Sequence, residues 1–275
     1  MALKEKLSKN AYFFYYFILM QGIGSAIISG GIEFAIAYGM YHGRRRVKMW
    51  RFPHTMAGDL VVSLWVQVGL TWVLEEIFIG WDFCCGSACE FPHMDAICNY
   101  VKKKKALYWY CEVEYGMLPR ERGPQGFKQY LKDLFLPERN MSRGHTKKYK
   151  LWLWLVRKAM RCLSWGLLLF IFFWPTTLGI MVAPGTKYGR HDYSYNSYPF
   201  PQVMKLIFGF VLGLICTPFT VAVVIIRNET YTRMVDSGEL EEEWPSEAGF
   251  EGSPEERKQD QLLMPSESAS VESKC

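Results

Sequence analysis

Charge is nearly missing from four stretches of this 275-residue chain, and that absence is its most informative property. Residues 11–41 carry one charged side chain, Glu33, and the runs 59–79, 163–183 and 203–226 are almost as poor in charge. An apolar run of about 20 residues is what a helix needs to cross a hydrocarbon core of about 30 Å. A soluble globule has no use for four of them, so the near-zero mean hydropathy of -0.03 averages apolar spans against polar regions. Recognisable reaction centres are missing too. There is no nucleophile elbow, Walker loop, Rossmann glycine pattern or HExxH, which points away from an enzyme and implies no cofactor. The eight cysteines lack the dense, even spacing of a secreted disulfide scaffold. No RRM, zinc-finger or basic-helix pattern accompanies the positive charge, so nucleic acid is not the expected partner.

What is present is an all-α plan: a polytopic membrane protein of about four transmembrane helices. Residues 1–10 form a cytosolic N-terminus, residues 11–226 the transmembrane domain with a long basic loop over 80–162, and residues 227–275 a disordered acidic tail. A cleaved signal peptide is the rival reading of the first run, since Lys4, Lys6 and Lys9 precede it and Gly24, Ser25 and Ala26 are small. Apolar character continuing well past those residues argues against it. Pro53 and Thr55 supply a break and a cap before the second span. The net charge of +5 hides a division. Residues 80–161 hold 16 basic and 8 acidic side chains, whereas residues 227–275 hold 5 and 13. Near the membrane, 13 Lys and Arg fall on the side of the N-terminus, loop and tail, against 7 on the other. The positive-inside bias therefore places both ends in the cytosol, although Arg44, Arg45, Arg46, Lys48 and Arg51 then lie on the opposite side. Two sequons, at Asn140 and Asn228, would be cytosolic and unused.

The segment Lys147 to Cys162 has two readings. It is either an interfacial amphipathic helix, with Leu151, Trp152, Leu155, Val156 and Ala159 on one face, or an extension of the third span with snorkelling basic residues. Anionic headgroups are the natural partner of the basic loop.

Charges inside spans are costly, so they are candidate functional groups. Glu33, Asp59 and Lys205 fall in one layer, with a Glu33 to Lys205 pair as the sharpest structural expectation and Gln67 as an uncharged polar neighbour. The competing reading puts Asp59 and Lys205 at the headgroups. Glu75 and Glu76 are interfacial carboxylates that could bind a cation. Cys84 and Cys85 are juxtamembrane palmitoylation candidates. Cys85, Cys89, His93 and Cys98 could align as zinc ligands, although no short CxxC is present. Gly31, Ala35 and Gly39, and the pair Gly209 and Gly213, are small-residue seams for close helix packing. Pro175 and Pro218 predict kinks. Ser266, Ser268, Ser270 and Ser273 offer phosphorylation sites in the tail.

The block from Trp50 through Asp59 and Leu60, continuing through Gln67, Leu70, Thr71, Trp72 and Glu75, resembles a family of uncharacterised fungal multi-pass membrane proteins. That resemblance implies a membrane location and transfers no activity. The leading expectation is a non-catalytic membrane adaptor or organising protein with a membrane-protein partner. An endomembrane home is expected, the endoplasmic reticulum ahead of the plasma membrane. A small-solute or ion transporter using Glu33, Asp59 and Lys205 is the alternative, and a metal- or redox-responsive protein using the Cys84 to Cys98 cluster the third.

Overall fold

The structure is a computed structural model that describes residues 8–43, 46–51, 55–89, 91–124, 126–135, 147–196 and 198–240. It is an all-α polytopic fold, with four helices long and apolar enough to cross a membrane: Ala11–Tyr41, Met56–Cys84, Trp154–Val182 and Phe200–Asp236. The first is composite. Helix α1 (Lys9–Phe13) runs into a π-helical stretch (Phe14–Gly24) and then α2 (Ser25–Tyr41). The second span is α3 (Met56–Cys84), whose N-cap Thr55 accepts a hydrogen bond from the Gly58 amide at 3.2 Å, satisfying one of the helix's orphan donors. Three short helices follow on the loop side: α4 (Met94–Lys103), α5 (Lys105–Cys111) and α6 (Phe127–Phe135). Helices α7 (Lys147–Val182) and α8 (Phe200–Asp236) carry the third and fourth spans.

Helix α7 decides between the two readings of residues 147–162: they extend the third span as one continuous helix. Trp152, Leu155 and Val156 are exposed on it, as hydrocarbon-facing side chains on a membrane helix should be. Lys158 and Arg161 do not snorkel, however; both are buried. Helix α8 likewise overruns the expected end of its span at residue 226 and continues to Asp236. Its last three turns bury Arg227, Asn228, Thr230, Tyr231 and Val235. Helices α4 and α5 pack there in place of lipid, so polar residues keep the helix going where hydropathy ends. Asn228 of the second sequon is fully buried, and Asn140 lies outside the described residues, as does the tail from 241.

Pro175 and Pro218 both sit within continuous helices. After Pro175, the Thr176 and Thr177 hydroxyls donate to the carbonyls of Phe172 and Phe173 at 2.7 and 2.8 Å. These bonds to carbonyls four residues back lie next to Ile171, whose carbonyl is the one Pro175 leaves without its helical amide donor.

At the end away from the loop helices, the two short connections meet in a sheet: β1 (Arg46–Lys48), β2 (Thr186–Tyr188) and β3 (Asp192–Asn196), in the order β1-β3-β2 and antiparallel throughout. The Tyr195 hydroxyl anchors it by donating to the Met181 carbonyl at 2.8 Å. The opposite end gathers the N-terminal helix, the loop helices and the end of α8. Tyr12 donates to the Ser87 carbonyl at 2.9 Å, and Lys102 reaches Glu239 at 3.2 Å. Both described termini therefore lie at the loop end, as an even number of crossings requires.

The seam between the first and fourth spans is built from Gly30, Gly209 and Gly213. A Cβ at Gly209 would stand 2.7 Å from Glu33 Cγ, and one at Gly30 only 2.9 Å from the Leu206 carbonyl. Gly31, Ala35 and Gly39 do not form the expected seam: all three are exposed, with open space around Gly31 and Gly39.

Candidate functional site

The first two spans place polar side chains around Lys205 of the fourth. It is fully buried on the first turns of α8, with Glu33 Oε2 at 2.7 Å and Asp59 Oδ2 at 3.1 Å. Asp59 and Ser63 are four residues apart on α3 and share a face. The Ser63 hydroxyl lies against the ammonium and also bonds Glu33 at 3.0 Å, while Tyr41 donates to Asp59 at 2.9 Å. The expected Glu33 to Lys205 pair is thus formed, and Asp59 joins it. One cation between two carboxylates leaves the cluster with one formal negative charge. Next on the same face of α3, Gln67 donates to the Gly209 carbonyl at 3.2 Å, leaving its own Oε1 without a hydrogen-bond partner among the described residues.

The second cluster lies at the loop end of the bundle. Glu76 is buried, and Arg227 from α8 approaches it at 2.8 Å. Lys158 from α7 touches Glu76 directly and reaches Glu112 at 3.1 Å. Arg161 pairs with Glu112 and stands 4.0 Å from Glu76. Glu112 comes from the loop, at the end of α5, where φ is +50°. Asn228 completes the arrangement by accepting from the Met117 amide at 3.1 Å and from Arg227 Nε at 3.2 Å. Three cations against two carboxylates leave one formal positive charge. This cluster corrects the reading of Glu75 and Glu76 as a cation site: the Glu76 carboxylate is already occupied by cationic side chains, and Glu75, one residue away, is only half-buried.

A cavity of about 210 Å³ opens beside the second cluster. Arg157 and Arg161 of α7 form one wall, and Lys105, Tyr108, Trp109, Glu112, Glu114 and the 3-10 turn Val113–Tyr115 form the other. The Arg157 guanidinium lies over the Tyr115 ring, 5.0 Å from its centroid, and also donates to the Tyr115 hydroxyl. Arg161 is 2% exposed; its Nη2 lies against Glu112, while Nη1, 4.0 Å from Glu76, has no hydrogen-bond partner among the described residues. Burial pushes the Tyr108 hydroxyl up from its ordinary pKa, so it is protonated and able to donate.

The cysteine cluster does not assemble as a metal site. Among the described residues, no three His, Cys, Asp or Glu side chains converge on a point that could hold an ion. Cys89 and Cys98 are instead packed among Tyr16, Ile79, Val221 and Val224. Burial raises the pKa of both the Cys98 and Cys111 thiols, which keeps them protonated and poorly nucleophilic near neutral pH. Of the two palmitoylation candidates, Cys84 is buried against Met117, Tyr130 and Leu134, and only Cys85 reaches the surface. Ser266, Ser268, Ser270 and Ser273 lie outside the described residues.

Residues 126–225, which include the third span and most of the fourth, match the family described as "Protein of unknown function (DUF2456)". An uncharacterised protein of Saccharomyces cerevisiae is 37% identical over 263 residues, spanning 84% of this chain and 83% of its own length. An uncharacterised protein of Schizosaccharomyces pombe is 35% identical over 228 residues, covering 78% of this chain and 40% of the longer relative. No solved structure matches. With four membrane-crossing helices and a yeast relative alignable over most of both chains, this protein belongs to that uncharacterised fungal family.

Proposed function

We propose that the protein is a non-catalytic organising protein of an endomembrane, with both ends and the long loop in the cytosol and the endoplasmic reticulum as its home. The observation carrying this reading is that the charges buried among the spans are already engaged with one another: Lys205 with Glu33 and Asp59, and Glu76 with Lys158 and Arg227. Breaking such a pair costs about 3–5 kcal/mol, so the two clusters act as clamps that hold the helices in register. The bundle then serves as a fixed platform. Its basic loop side faces anionic headgroups, and the acidic segment after α8 offers a docking surface to a membrane-protein partner, tunable by phosphorylation at Ser266, Ser268, Ser270 and Ser273. Crosslinking of the full chain in native membranes, compared with a version ending at Leu240, tests this. Partners captured by the full chain should be lost on truncation; an unchanged set of partners sinks the docking role.

The excess negative charge around Lys205 favours a second reading, a cation- or proton-coupled transporter, because an unneutralised buried carboxylate is a place to hold a cation. Reconstituted flux abolished by Glu33→Gln and retained after truncation at Leu240 would establish it in place of the organising role.

A further inference from the structure

We propose that the cavity between α5 and the beginning of the third span binds the phosphate of an anionic phospholipid headgroup. The inference deepens the platform reading and rests on its placement of this end of the bundle against an anionic leaflet.

The buried network beside the cavity holds Lys158, Arg161 and Arg227 against Glu76 and Glu112. An uncompensated buried charge is expensive, and an anion entering here would neutralise the excess. Arg161 supplies the recognition element. Its guanidinium is buried and lines the cavity, and with Nη2 held by Glu112 its Nη1 is left without a hydrogen-bond acceptor among the described residues. A buried cationic N–H of this kind makes a charge-assisted hydrogen bond to a phosphate oxygen. Arg157 and Lys105 add charge at the same walls, and the protonated Tyr108 hydroxyl adds a neutral donor.

Size and surroundings select the lipid. Pockets that enclose drug-sized ligands measure about 300–1,000 Å³, so a cavity of about 210 Å³ suits a headgroup whose remainder stays outside. Helix α7, which forms one wall, exposes Trp152, Leu155 and Val156 where the third span begins, which provides an apolar path for acyl chains. Trp109 is exposed at the opposite wall, the position that interfacial aromatic residues occupy at the headgroup level. Glu112 and Glu114 in the same lining oppose a dense polyanion and favour a phosphodiester with a single charge.

The test uses the full chain purified in neutral detergent. Binding of short-chain phosphatidylglycerol, phosphatidylcholine and inorganic phosphate is followed by native mass spectrometry and by the unfolding temperature. The expected result is one phosphatidylglycerol per chain, bound about tenfold or more tightly than phosphatidylcholine, with no shift from inorganic phosphate. Arg157→Gln and Lys105→Gln should each reduce that preference about tenfold, as loss of one charge-assisted contact implies; Lys105→Gln should do so without lowering the unfolding temperature of the lipid-free protein, whereas Arg157→Gln also gives up its contacts to Tyr115. Arg161→Lys keeps the charge and loses the Nη1 donor, so it should also reduce the preference. If it fails to fold, the two wall variants still decide. Equal binding of the two lipids, or an undiminished preference in both wall variants, overturns the site. Stabilisation by inorganic phosphate equal to that by phosphatidylglycerol overturns the lipid assignment. Neither failure alters the crosslinking of the tail, and loss of the tail's partners would leave lipid binding intact, so the two readings fail separately.

Discussion

The two buried charge clusters stand at opposite ends of one bundle and are built on opposite plans. Around Lys205 a single cation on the fourth span is held by two carboxylates, one from each of the first two spans. Around Glu76 three cations share two carboxylates, one of which, Glu112, comes from the loop. The first cluster is negative and packed into a glycine seam. The second is positive and borders a cavity. A buried ion pair fixes geometry at a high desolvation cost, so whether a cluster clamps or binds depends on whether its charges are already matched and enclosed. The Lys205 cluster is enclosed, and the Glu76 cluster, while it clamps its helices, borders a cavity and leaves Arg161 Nη1 without a partner among the described residues.

The sharpest way to break this contrast is to delete the central cation. Lys205→Met leaves Glu33 and Asp59 facing each other without compensation and should cost about 3–5 kcal/mol. Denaturant unfolding in detergent would measure it, and adding Glu33→Leu to Lys205→Met should recover much of the loss. Glu76→Gln is next, at about 3 kcal/mol, because two of the cations it releases, Lys158 and Arg161, retain Glu112 and the cluster sits beside a cavity that an anion or water can enter. If Glu76→Gln proved as costly as Lys205→Met, the second cluster would be no more open than the first.

Gly209→Ala should cost about 1–3 kcal/mol by pushing Glu33 away from Lys205, since the new methyl would overlap its Cγ. Gly31→Ala, facing open space, should shift the unfolding midpoint by less than about 0.5 kcal/mol. Equal effects would place the seam on the wrong face. The smallest effect belongs to Glu239, which the Lys102 ammonium, through its hydrogen bond, holds below the usual carboxylate range. A lowered folded-state pKa contributes stability above the ordinary carboxylate value and loses it as pH falls through the lowered one. Because the pair is solvent-exposed, Glu239→Gln should leave the unfolding temperature unchanged from neutral pH down to pH 5 in a thermal scan.

The spans and the Lys205 cluster were legible because membrane burial writes itself into sequence as missing charge: Glu33 is conspicuous as the lone charge in an apolar run. The Glu76 cluster was not. Lys158 and Arg161 carry the sequence signature of snorkelling residues, Arg227 stands where hydropathy stops, and Glu112 lies in a loop without periodic apolar spacing. Their common feature is that loop helices, instead of lipid or water, surround them, a substitution that no window of local sequence records. The seam failed for a related reason: residues spaced by four line up on either of two faces, and only the partner helix distinguishes Gly30 from Gly31. The small sheet escaped notice because each strand is three to five residues long and its pairing partners are remote in sequence.

That sheet also imposes an order in time. Val47 lies opposite Tyr195, and the second and third spans intervene between them in the chain. The first hairpin of spans can be complete in the bilayer while β1 still has no strand beside it, and only delivery of the second outer connection during synthesis supplies β3. The small sheet is therefore a late closure of the assembly, a latch joining two hairpins that enter the membrane one after the other.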